Sequence, residues 1–155
     1  MSHHTPLKVL VRGWIAGAAG TAAMTGCQMA MMKIRGGSSS NTPGFVAKRF
    51  LEGVYQMQVP DERLTLLTNV VHWSYGTNWG GAYAVVKAGR HPRRTIRHGL
   101  VLGTLVWGMS LGQLPALRLA PPPWGYPPKE LAMDASYHLV YGLAAAMAYR
   151  VLDRR

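Results

Sequence analysis

Apolar and small residues gather into long uncharged tracts along this 155-residue chain, and the charges gather between them. No Asp, Glu, Lys or Arg interrupts residues 13–32, 64–86 or 99–117. Each tract approaches the roughly 20 predominantly apolar residues that carry a helix across a bilayer. A fourth, 135–149, is shorter; extended to about 131–152 it also spans, with Asp134 and Arg150 near its ends. Between the first two tracts, over about 43–58, Val46, Phe50, Leu51, Val54 and Met57 fall on one helical face, and Lys48, Arg49, Glu52 and Gln56 fall on the other. Thr42 reads as an N-cap with Pro43 at the first helical position, which predicts an amphipathic helix lying on the membrane surface. Pro60, Asp61 and Glu62 open the second span, and Pro115 kinks or ends the third. The proline-rich stretch 121–128 is incompatible with regular helix, and its Trp124 and Tyr126 suit the headgroup level.

Charge changes this picture only by orienting it. The chain carries 17 Lys and Arg against 6 Asp and Glu, a formal net charge of +11. A dense basic run, Arg90 to His98, could serve a nucleic-acid binder, but it lies between two uncharged tracts, where a cytoplasmic loop belongs. With the N-terminus inside, ten basic residues face Asp153 alone on the cytoplasmic side, while seven basic and five acidic residues lie outside. Only 15% of residues are charged, against about 25% in soluble proteins. Mean hydropathy is nonetheless only +0.02, because Gly, Ala, Ser and Thr fill the tracts; such residues let helix backbones approach closely. A single cysteine, Cys27, excludes an intramolecular disulfide. Met24 to Cys27 loosely matches a lipoprotein cleavage box, yet the apolar character continues through Met32, so an uncut first helix is expected.

The chain reads as a duplication. His72, Tyr75, Gly76, Ala82 and Tyr83 are matched at one constant spacing by His138, Tyr141, Gly142, Ala148 and Tyr149, and Gly13 and Gly17 are matched by Gly99 and Gly103. The expected fold is therefore an all-α membrane protein: a four-transmembrane-helix bundle built from two tandem hairpins, with one extra surface helix. On the second span Asn69, His72, Gly76, Trp79, Gly80 and Tyr83 share a stripe; on the fourth Asp134, His138, Gly142, Ala146 and Tyr149 share its equivalent. Polar and small stripes should face the bundle interior. Gly13, Gly17, Gly76, Gly99, Gly103 and Gly142 are thus expected to pack helices, and Asn69, His72, Asp134 and His138 to be interior polar groups.

In its Gly- and Thr-rich first span ending Met24-Thr25, its His72…Tyr75-Gly76 and His138…Tyr141-Gly142 signatures, and its Gly103, Trp107 and Pro115, the sequence resembles the YagU-like family of small bacterial inner-membrane proteins. The segment 43–58 departs from that compact pattern. The resemblance implies four spans and a bacterial inner-membrane location, and no activity.

Ionisable groups within spans mark function by default. Asp134 lies one turn before His138, so the pair could relay protons or fix a tautomer. The simpler expectation is that each His bonds across a helix interface. Haem or metal ligation by the two histidines lacks any supporting CxxCH motif, Cys/His cluster or second carboxylate, so no metal and no cofactor are expected. There is no nucleophile–base pair, phosphate loop or pair of carboxylates in the spans, hence no catalytic residues and no enzyme. Two functions remain: a small transporter-like bundle with an interior His stripe, or a structural scaffold subunit. The expected partners are the lipid bilayer, anionic lipid, other membrane proteins or a second copy, and not nucleic acid.

Overall fold

The computed structural model describes residues 5–36, 41–87 and 94–153, and among these the chain is all-helical. Five α-helices follow one another: α1 (Pro6–Arg35), α2 (Thr42–Val54), α3 (Leu64–Lys87), α4 (Thr95–Ala116) and α5 (Pro128–Asp153). A 3₁₀ turn at Asp61–Arg63 leads directly into α3, and another at Pro123–Gly125 interrupts the proline-rich connector. The core of the basic loop, Arg90 to Arg93, lies outside the described residues.

Each uncharged tract falls within a helix, save Leu117 just past the end of α4, and the helices start or end beyond their tracts. Helix α1 begins seven residues before its tract because Pro6, whose missing N–H costs nothing in the first turn, starts it. It ends at Gly36, whose φ of 66° sends the chain left-handed. Helix α5 likewise starts at Pro128, which puts Asp134 in its second turn rather than at its edge. The amphipathic helix is shorter than its pattern: α2 stops at Val54, and Met57 lies beyond it. Gln56 turns left-handed with φ 52°, and the Met57 amide reaches back to the Leu51 carbonyl at 3.2 Å, closing the helix. Pro115 terminates α4 rather than kinking it. Arg118 takes φ 55°, and the Leu119 amide bonds the Leu114 carbonyl at 3.0 Å, the same closure without a glycine.

Helix α1 packs against α3 and α5, α5 packs against α4, and α2 lies on α3. Glycine explains how closely. A Cβ at Gly80 would overlap the backbone of Gly13 and Gly17, and one at Gly142 would overlap the backbone of Gly99 and Gly103. Gly76 sits at the crossing of three helices, beside Thr21 of α1 and the Tyr141 ring of α5. All six glycines assigned to packing from the sequence therefore lie in backbone-to-backbone or backbone-to-side-chain seams. The matched spacing is not kept in space, however. Gly142 occupies the place between Gly99 and Gly103 that Gly80, not Gly76, occupies between Gly13 and Gly17. Relative to its own hairpin partner, α5 is thus displaced by one helical turn from the sequence correspondence.

The core that results is small. Met24, Leu102, Val106, Tyr141 and Ala145 form one cluster, and Val9, Ala16, Ala84 and Tyr149 form another. Around the bundle, α3 and α4 lack the close backbone approach of the other pairs, and Tyr75, Trp79 and Tyr83 of α3 fill the space with their rings. The outward surface carries the large apolar residues: Ile15 and Met29 on α1, Leu66 and Val70 on α3, Val101 and Leu105 on α4, Met147 and Val151 on α5.

Candidate functional site

The polar residues of the long helices form two groups, one across α1 and α3 and one across α4 and α5. On α3, His72 places Nε2 3.1 Å from the Thr25 hydroxyl of α1. On α5, the Asp134 carboxylate accepts the indole N–H of Trp107, on α4, at 3.0 Å. His138 Nδ1 lies 2.9 Å from the Asp134 main-chain carbonyl. A carbonyl only accepts, so that nitrogen carries the proton and neutral His138 has Nε2 as its acceptor. The carboxylate of Asp134 stands further off, 3.8 Å from Nδ1. The expected Asp134–His138 contact exists, then, but its short bond runs to the main chain, and the carboxylate is held by Trp107.

Burial grades across the second group. The His138 side chain is 12% exposed and that of Asp134 47%, so the histidine lies inside and the carboxylate reaches the rim. His72 is half-buried. One turn further along α3, the Tyr75 hydroxyl is buried without a hydrogen-bond partner among the described residues. Asn69 does not belong here. It is exposed, and its side-chain amide donates to the Thr65 carbonyl at 3.0 Å on its own helix. A helical wheel assigns it to the His72 stripe, but that stripe is wider than the seam with α1, and Asn69 falls past its edge.

Three participants went unassigned from the sequence: Thr25, Trp107 and Tyr75. The first two were legible in principle. Trp107 continues the Gly99, Gly103 row by one turn, and Thr25 continues the row of Gly17 and Thr21, so both had to face the same neighbours as the glycines. Thr21 itself is 1% exposed and bonds the Gly17 carbonyl at 3.0 Å.

Two cavities formed by the described residues, one at each end of the bundle, are lined without His72 or His138. A shallow depression of about 530 Å³ lies at the end of α2, between Glu52 and Pro60. Beside it Lys48 bonds Asp61 at 2.6 Å and stands 3.8 Å from Glu52, tying α2 to the turn that starts α3. The bond to Asp61 holds the Lys48 ammonium above its ordinary range. The other cavity, about 10 Å³, lies between α3, α4 and α5 at the opposite end of the bundle. No three metal-ligating side chains come together among the described residues.

Fold and site together define an all-α bundle with a small buried core and many large apolar side chains exposed on its helices. Among the described residues one helix, α4, is long and apolar enough to cross a membrane, at a mean hydropathy of 1.2. No protein-family model, curated protein or solved structure matches the chain.

Proposed function

We propose that this chain is a four-span protein of the bacterial inner membrane, both ends cytoplasmic, whose closed bundle acts as a structural scaffold subunit. The packing carries the reading: Gly, Ala and Thr fill the seams around a small apolar core, while large Leu, Ile, Val and Met side chains stay exposed on every long helix. Contiguous apolar surface on a water-soluble monomer seldom exceeds a few hundred Å² (roughly 300–600), and here exposed large apolar side chains lie on all four long helices. Helices α1, α3 and α5 have lower mean hydropathy than α4 because their seams are made of Gly, Ala, Thr and Tyr. Those residues face other helices, so the average understates how apolar the lipid-facing surface is. The YagU-like signatures agree with this architecture.

Alkaline carbonate washing should leave the chain in the membrane pellet, and reporter fusions after Arg155 and within 90–97 should both signal cytoplasm. Release into the wash overturns the membrane reading, and a periplasmic signal from either fusion overturns the topology.

A transporter-like role for the His stripe draws support from one observation, the buried Tyr75 hydroxyl one turn from His72, which has no hydrogen-bond partner among the described residues. Proteoliposomes containing a pH-sensitive dye separate the two roles. A scaffold leaves an imposed pH gradient intact in the wild type, in His72→Gln and in His138→Gln alike. Wild-type leakage abolished by either substitution supports proton movement instead.

A further inference from the structure

We propose that the cleft between the ends of α3 and α5 and the start of α4 binds the phosphate of an anionic phospholipid. This deepens the membrane reading above and rests on it. Lys87 closes α3, His98 lies in the first turn of α4 and Arg150 lies in the last turn of α5; all three line this cleft. Arg94 caps the start of α4 one turn before His98, and Arg97 lies in the same first turn. One carboxylate, Asp153, shares the lining, and it already pairs with Arg12 at 3.4 Å. The opposite end of the bundle is different: there Lys48 alone has two carboxylates, Asp61 and Glu52.

The cleft encloses about 10 Å³, room for about one water, so a phosphate group sits at its cationic rim and not within it. The edge-on rings of Tyr83 and Tyr149, 5.6 Å apart, form its apolar floor. Val86 and Ile96 are exposed at the same helix ends that carry Lys87 and Arg97, so apolar surface lies near the cations. A free anion would engage the cations alone. A phospholipid engages both, headgroup on the cations and acyl chain on the apolar surface, as basic pockets between membrane helices do.

The test reconstitutes the full chain into phosphatidylcholine bilayers and into equal mixtures of phosphatidylcholine and phosphatidylglycerol. Lipid retained after detergent release is then counted by native mass spectrometry. Phosphatidylglycerol should be retained over phosphatidylcholine, and Lys87→Gln/Arg150→Gln should lower that preference roughly tenfold or more, since each surface cation contributes on the order of 1 kcal/mol toward anionic lipid. Lys87→Arg/Arg150→Lys keeps both charges and should keep the preference, which separates loss of charge from loss of fold. Equal retention of the two lipids, or an unchanged preference in the Gln variant, overturns the proposal. So does equal thermal stabilisation of lipid-free protein by inorganic phosphate, which would mark a free-anion site. Failure to enter either bilayer overturns the membrane reading itself, whereas insertion without preference overturns this inference alone.

Discussion

Gly142→Ala is expected to destabilise the purified chain by about 1–3 kcal/mol or more, while Gly108→Ala leaves it unchanged or stabilises it. The two glycines belong to helices that pack on each other, and both changes add a single methyl. At Gly142 that methyl would overlap the Gly99 carbonyl and the Gly103 backbone. Backbone cannot rotate aside as a side chain does, so α4 and α5 must separate along their whole seam. At Gly108 nothing lies within 4 Å of the added atom, and alanine gains helix propensity of up to about 1 kcal/mol over glycine. Gly80→Ala should behave like Gly142→Ala because its methyl meets Gly13 and Gly17 in the same manner. Denaturation in mild detergent followed by circular dichroism reads the difference. Equal losses at Gly142 and Gly108 would show that the cost is not set by helix contact, and the seam would have to be abandoned.

The second large effect is expected at Tyr141, which is 2% exposed and joins three helices. Its hydroxyl donates to the Gly76 carbonyl at 2.6 Å, and its ring lies against Gly20 and Gly76, which have no side chains to hold it off. Tyr141→Phe removes the bond and leaves the Gly76 carbonyl its helical partner, so the loss should be about 1 kcal/mol. Tyr141→Ala also empties the crossing, and should cost about 3–5 kcal/mol, as large-to-small changes of buried aromatics do. The same unfolding measurement ranks the pair. If the Phe variant proves as unstable as the Ala variant, the hydroxyl and not the ring holds the crossing together.

The sequence by itself determined a good deal about this protein. Uncharged tracts bounded by charged residues located the four long helices, because length and the absence of charge need no partner to be recognised. Thr42 and Pro43 placed the start of α2 to within a residue, and the row of Gly13 and Gly17 marked the side of α1 that meets α3. The sequence placed His72 and His138 on the small-residue side of their helices as interior groups, and the structure leaves both partly buried.

Register was decided only in three dimensions. A glycine row repeats about every turn, so sliding one helix past another by four residues brings glycine onto glycine again, and the sequence offers equivalent solutions. Tertiary packing chose between them: Tyr141 fills the space over Gly76, and with that ring in place Gly142 seats between Gly99 and Gly103 one turn from where the duplication would put it. The polar partners follow from that choice. Trp107 reaches Asp134, Thr25 reaches His72, and Asn69 is left outside, because a seam only as wide as two backbones admits fewer residues than a helical stripe contains.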